Sequence, residues 1–221
     1  MRLLAPSILA ADFLHLEEEI AYACRVGDMI HVDVMDGVLV SNISFGFPVA
    51  EAVARVATKP LDIHLMIVEP WKYFERFAAV AGRNGMVSFH LEAARMGGKN
   101  SSELLGTLKS LGVKAGLVIN PDIPVEDLFP YVKEADYILL MSVFAGFGGQ
   151  KFIPETCERV RKLRKFIRDN GLECLVEVDG GVDKDNADLI SGCGVDIMVA
   201  GSAVFRGPDR EASAKAVKGC N

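Results

Sequence analysis

Met29-Ile30-His31-Val32-Asp33-Val34-Met35 is the stretch that decides the fold. Its apolar, β-branched composition reads as a strand, and a strand sends alternate side chains to opposite faces. His31, Asp33 and Met35 share one face; Val32 and Val34 share the other. Valines facing outward fit a strand covered by helices, as in a parallel sheet buried on both sides. The inward face then carries an imidazole and a carboxylate, and burying either without a partner costs several kcal/mol. Polar groups also sit within or at the end of the apolar runs Leu61-Asp62-Ile63-His64-Leu65-Met66 and Leu175-Val176-Glu177-Val178-Asp179, at His64 and Asp179. Three strands that each bring polar groups inward must bring them to one another, or to an ion.

Outward from these runs, short β-rich segments alternate with longer helical patterns. Strands are predicted at 4–9, 29–35, 61–66, 86–90, 114–119, 137–143, 173–178 and 197–200. Helices are predicted near 14–26, 48–57, 71–81, 101–111, 125–133, 154–170, 184–192 and 209–219. Pro154-Glu155-Thr156 opens the sixth helix, and Gly171 stands where a left-handed cap closes it. Eight strands alternating with eight helices imply a parallel sheet with right-handed crossovers. The predicted class is α/β, a single-domain (β/α)8 TIM barrel over residues 1–221, with a doubly wound open sheet as runner-up. The length of 221 residues suits one barrel, for which roughly 250 is typical and about 200 a lower end. No linker or low-complexity tract interrupts the chain.

Composition narrows the function. Half of the residues are hydrophobic, enough for a sizeable core, and the net charge of −6 argues against nucleic acid as a bulk electrostatic partner. The five cysteines, Cys24, Cys157, Cys174, Cys193 and Cys220, form no C-x-x-C pair and suit a reducing compartment as idle thiols. The N-terminal Met1-Arg2-Leu3-Leu4-Ala5-Pro6-Ser7 reads as the start of a strand. No stretch approaches the ~18 apolar residues of a membrane span. The expectation is a cytoplasmic protein without membrane or nucleic-acid partners; a homo-oligomer is left open.

A barrel gathers its functional groups at the C-terminal ends of its strands. Ser7 falls late in the first predicted strand, His31, Asp33 and Met35 late in the second, His64 and Met66 late in the third, and Asp179 at the end of the seventh. Two imidazoles and two carboxylates suit one divalent ion, zinc first, with iron, manganese or cobalt also compatible. His31, Asp33, His64 and Asp179 are the expected ligands. Asp33 and Asp179 are also the expected acid/base pair: one removes a proton from carbon, the other returns it from the opposite face, and the metal acts as Lewis acid toward the developing oxyanion. In the resting enzyme one carboxyl is expected to be protonated and the other ionised. Asp62, deeper on the face of His64, reads as an orienting partner for a ligating histidine. Asp36 reads as a loop group, His90 as lining the same mouth, and His15 as solvated.

Gly146-Phe147-Gly148-Gly149-Gln150 follows the sixth strand, Gly180-Gly181 the seventh and Gly201-Ser202 the eighth. Glycines let backbone N–H groups approach an anion, and the loops after strands seven and eight are the usual barrel phosphate site. No Lys or Arg lies within these runs, so backbone amides must do the binding. Gly146, Phe147, Gly148, Gly149, Gly180, Gly181, Gly201 and Ser202 are expected to hold a phosphate, with Ser7 and His64 expected to face the bound molecule at the same barrel mouth. Met35, Met66 and Met141 are expected to form a dry lid that protects a reactive intermediate.

Together these stretches resemble the ribulose-phosphate 3-epimerase family. The matching segments are Ala5-Pro6-Ser7-Ile8-Leu9-Ala10-Ala11-Asp12-Phe13, His31-Val32-Asp33-Val34-Met35-Asp36-Gly37, Leu61-Asp62-Ile63-His64-Leu65-Met66, Asn120-Pro121, residues 146–152, residues 177–182 and residues 200–205. The resemblance implies a metal-dependent isomerase that interconverts D-ribulose 5-phosphate and D-xylulose 5-phosphate at C3 through a metal-stabilised enediolate, in the pentose phosphate pathway. It implies the ligand set and acid/base pair just given, a substrate contact from Ser7 and a phosphate held by the glycine loops.

Two departures stand out. Phe144-Ala145 replaces the family's Asn/Asp-Pro, and Val40-Ser41-Asn42 replaces Val-Pro-Asn, which is expected to loosen both loops. A D-allulose 6-phosphate 3-epimerase is the alternative, and a non-catalytic sugar-phosphate-binding barrel a more distant one. A decarboxylase of related architecture would carry a lysine in an Asp-x-Lys-x-x-Asp run, and strands two and three contain none.

Overall fold

In the computed structural model, which describes residues 2–219, eight parallel strands form one sheet. They are β1 (Leu3–Pro6), β2 (Ile30–Met35), β3 (Leu61–Met66), β4 (Met86–His90), β5 (Lys114–Ile119), β6 (Tyr137–Met141), β7 (Leu175–Asp179) and β8 (Ile197–Ala200). Each strand from β2 to β8 pairs with the next in sequence, and β1 pairs with β8. A parallel bridge between Ser7 and His31 links the β1 end back to β2, so the sheet is a nearly closed barrel. Among the described residues the helices are α1 (Leu16–Val26), α2 (Phe47–Val56), α3 (Phe74–Ala81), α4 (Leu91–Met96), α5 (Ser101–Ser110), α6 (Thr156–Asp169), α7 (Ala187–Gly192), α8 (Ser202–Phe205) and α9 (Arg210–Lys218).

The outward strand residues pack against this helical shell. Val32, Val34, Ile63, Leu65, Val87, Phe89, Val176 and Val178 belong to one buried cluster with Phe74, Phe77, Leu105 and Leu163 of the helices. The barrel floor is a second cluster built from Ala5, Met29, Met86, Tyr137, Ile197 and Val199. Above that floor the inward residues turn polar.

The boundaries differ from the sequence reading where local chemistry intervenes. β1 stops at Pro6, and the chain turns into a 3-10 helix at Ile8–Ala10, so Ser7 lies one residue past its strand. β6 ends at Met141, short of 143, because Ser142 already turns to bond the β7 end. The predicted helix at 125–133 is a 3-10 helix, Val125–Tyr131, since Pro130 within it has no N–H to donate. α4 and α8 are additional to the predicted helices, each too short to show a helical period. Gly171, at φ 61°, provides the left-handed residue expected after α6. Cys24, Cys157, Cys174 and Cys193 are free and buried; Cys220 lies outside the described residues. Burial pushes the Cys157 and Cys174 thiols up to about 12.

Candidate active site and metal centre

β2, β3 and β7 bring His31, Asp33, His64 and Asp179 together at the C-terminal end of the barrel. One donor atom from each lies within 4.8 Å of the others. His31 Nε2 is 3.2 Å from Asp33 Oδ1 and 3.8 Å from Asp179 Oδ2; His64 Nδ1 is 3.3 Å and 3.7 Å from the same two oxygens. Metal–ligand bonds of about 2.0–2.2 Å in a tetrahedron imply donor separations of roughly 3.3–3.6 Å. The four atoms therefore fit one divalent cation by spacing and by donor type.

The register explains the convergence. Asp33 pairs with His64, and His31 with Asp62, so neighbouring strands place their inward polar residues side by side. His31 Nδ1 meets Asp62 Oδ2 at 2.6 Å, leaving Nε2 for the centre. Asp62, expected as an orienting partner, is placed as one. Its other oxygen accepts from Tyr137 Oη at 3.3 Å. Ser7 Oγ donates to Asp33 Oδ2 at 2.6 Å, so Asp33 turns Oδ1 toward the histidines and Oδ2 toward Ser7.

Electrostatics follow this geometry. Burial works against a charged His31, yet the Asp33 and Asp62 carboxylates raise it well above the usual imidazole range. Burial also opposes ionisation of Asp33, but His31 and His64 hold it far below the usual carboxylate range. His64 is raised by Asp179 and Asp33 against the same burial penalty. Glu177, inward on β7 two residues before Asp179, is fully buried, and neither carboxylate oxygen has a hydrogen-bond partner among the described residues. Burial, then the neighbouring Asp62, raises Glu177 well above the usual carboxylate range. The sequence reading passes over Glu177, although its period-two relation to Asp179 is the signal that marks His31 with Asp33.

Above the cluster opens a cleft. Ser7, Asp33, Met35, Met66, Met141 and Asp179 line its base, and Gly146, Phe147, Gly148, Gly149, Gly180, Gly181, Gly201 and Ser202 line its rim. Met35 and Met66 pack with Val40 beside Leu9, Leu39 and Ala145, forming an apolar wall. His64 lies beneath the cleft rather than on its surface. Gly181, at φ 66°, has no room for a side chain: a Cβ would sit 2.3 Å from the Phe152 nitrogen.

The departures at 40–42 and 144–145 leave the loops tied by side chains. Asn42 Nδ2 donates to the Gly146 carbonyl at 2.7 Å, and Gln150 Nε2 donates to the Phe144 and Phe147 carbonyls. Ala145 N–H donates to Asn120 Oδ1 at 3.0 Å, a bond that proline at 145 could not make. The remaining candidates also find places. Asp36 accepts from the backbone of Val38, Leu39 and Val68, so it organises the loop after β2. His15 is exposed and pairs with Asp12. His90, expected at the mouth, is instead fully buried and absent from the cleft lining, with Nε2 2.9 Å from His64 Nε2.

The sequence matches the family model described as the ribulose-phosphate 3 epimerase family over residues 3–205. A ribulose-phosphate 3-epimerase of Synechocystis sp. is 45% identical over 206 residues, covering 93% of this chain and 88% of the relative. One of Bacillus subtilis is 42% identical over 217 residues, covering 97% of each. Among solved structures, the KGPDC from Streptococcus mutans matches with a TM-score of 0.69 at 12% identity, over 99% of this chain and 96% of that one; at such identity the likeness speaks for the barrel fold alone.

Proposed function

The chain belongs to the ribulose-phosphate 3-epimerase family, and from that premise we propose that it interconverts D-ribulose 5-phosphate and D-xylulose 5-phosphate, with Asp33 and Asp179 exchanging the C3 proton. It is an isomerase of the epimerase type. One observation carries the reading: two carboxylates and two imidazoles meet at the base of a cleft whose rim is three glycine loops. The relatives' shared name supports a pentulose phosphate and lends nothing to D-allulose 6-phosphate or to a non-catalytic barrel.

The glycine loops hold the phosphate by backbone N–H groups, which anchors the sugar chain over the barrel mouth. Ser7 fixes Asp33, and the ionised Asp33 takes the C3 proton. Asp179, on the other face, returns a proton to C3. His31, Asp33, His64 and Asp179 would hold a divalent cation, zinc first, which would supply Lewis-acid stabilisation of a developing oxyanion. Met35, Met66 and Met141 keep water from that oxyanion. A cytoplasmic setting accords with the substrate; among the described residues, no helix is long and apolar enough to cross a membrane.

Proton NMR in D2O tests the reading. Metal-loaded protein is expected to exchange the C3 hydrogen of D-ribulose 5-phosphate for deuterium as xylulose 5-phosphate forms. Asp33→Asn is expected to lose turnover by at least about 10²-fold while keeping sugar-phosphate binding. An intact C3 hydrogen with metal bound would sink the assignment.

A further inference from the structure

His31 takes its orientation directly from Asp62, whereas His64 has no carboxylate on its far nitrogen among the described residues. Its Nε2 meets His90 Nε2 at 2.9 Å, and both rings are fully buried and meet edge to edge with their planes 16° apart, 5.0 Å between centroids. A cation on His64 Nδ1 leaves the proton on Nε2, which must donate to His90 Nε2. His90 then carries its proton on Nδ1, an atom with no hydrogen-bond partner among the described residues, 3.5 Å from Glu92 Oε1. The same oxygen accepts from Asn120 N at 3.0 Å and from Asn120 Nδ2 at 2.9 Å. With its amide hydrogen committed to Glu92, Asn120 turns Oδ1 outward to take the Ala145 N–H at the root of the glycine loop.

Each donor along this path points toward Glu92, from the histidine side and from the asparagine side alike, and the loop N–H closes the far end on Asn120. We propose that Glu92 is a positioning residue serving both ends of the site: through His90 it sets the tautomer and angle of His64, and through Asn120 it fixes the loop that holds the phosphate. This rests on the metal and phosphate roles proposed above. Outer partners of a metal-bound histidine commonly govern affinity by about 10–100-fold, and one loop hydrogen bond governs several-fold to roughly tenfold.

The test uses the full chain as wild type, Glu92→Ala, Glu92→Gln and Asn120→Ala. Zn²⁺ affinity is read by competition with a chromophoric chelator, and inorganic phosphate affinity of the Zn²⁺-loaded protein by calorimetry. Glu92→Ala is expected to weaken Zn²⁺ about tenfold or more and phosphate several-fold. Asn120→Ala is expected to weaken phosphate alone. Glu92→Gln, which keeps the Oε1 acceptor but not the charge, is expected to recover the phosphate affinity and only part of the Zn²⁺ affinity. The proposal is overturned if Zn²⁺ affinity stays within twofold of wild type in the Glu92 variants. It is equally overturned if Asn120→Ala weakens Zn²⁺ as much as Glu92→Ala does, or leaves phosphate binding untouched. Should Glu92→Ala fail to fold, Glu92→Gln and Asn120→Ala decide by the same split. Wild-type protein that binds Zn²⁺ and exchanges the C3 hydrogen, with variants showing no split, overturns the role of Glu92 and spares the epimerase reading.

Discussion

At the scale of single residues, the site is a set of carboxyl groups whose surroundings push them in opposite directions. His31 lowers Asp62 against burial, while burial and Asp62 raise the neighbouring Glu177 well above its ordinary range. Asp62→Asn removes the charge that orients His31 and is expected to cost roughly 10–100-fold in Zn²⁺ affinity by chelator competition. Glu92 carries a prediction in pH. Burial raises it, but His90 and the Asn120 backbone bring it down to about 2. A carboxyl lowered by folding binds fewer protons in the native state than in the unfolded chain, so it adds stability above its ordinary value near 4.5. That stability is lost as pH falls toward about 2. In metal-free protein, the urea midpoint of Glu92→Gln is therefore expected to fall less steeply between about pH 5 and 3 than that of wild type; parallel curves would contradict this. These residues are unequally legible. His31 and Asp33 announce themselves because their strand is apolar on one face and polar on the other. Glu92 gives no such sign: it lies on α4, a helix of six residues that shows no period, and its partner Asn120, which in turn holds Ala145, comes from another loop.

At the scale of elements, the strands are legible because barrel strands are nearly continuous apolar runs, and β3, β4, β5 and β8 match their predicted bounds. Connections are less so, since Pro130, the Asp12 cap of the turn Phe13–His15 and the two short helices act below the length at which a helical period shows. Packing between strands makes a paired prediction about glycine. Gly116 on β5 lies under the Tyr137 ring, and a Cβ there would stand 2.3 Å from Tyr137 Cζ. The ring cannot yield freely, because its hydroxyl is engaged with Asp62 inside the barrel. Gly116→Ala is expected to destabilise by about 1–3 kcal/mol. Gly106 is the contrasting case: it sits exposed within α5, and a Cβ there would meet nothing within 4 Å. Gly106→Ala is expected to stabilise by about 0.5–1 kcal/mol by stiffening the unfolded chain and favouring helix. Urea midpoints that move the same way for both substitutions would show that backbone propensity, not the Tyr137 contact, governs Gly116.

At the scale of the whole molecule, the barrel is an apolar shell wrapped around a polar column. Tyr137, Asp62, Glu177, His31, Asp33 and His64 are all buried inside it, and hydrogen bonds link most of them. The shell is legible from the count of βα units, and the column from the inward face of three strands. How the column is satisfied is not legible, since that depends on register between strands distant in sequence. A buried column of charges is costly unless each member has a partner. Asp33 and Asp179 are held apart from each other by two imidazoles alone when no cation lies between them. Metal binding therefore adds to folding stability, by about 2.7 kcal/mol at a free metal concentration about one hundred times the dissociation constant. For a chain of this size each kcal/mol moves the melting temperature by roughly 2–4 °C. Chelation is expected to lower the melting temperature by about 5–11 °C on those figures, and restoring Zn²⁺ to return it. The shell needs no metal for its own apolar packing, so the far-UV circular dichroism of the chelated protein at room temperature is expected to match that of the loaded one. Loss of secondary structure on chelation would mean that the column, and not the shell, holds the barrel closed.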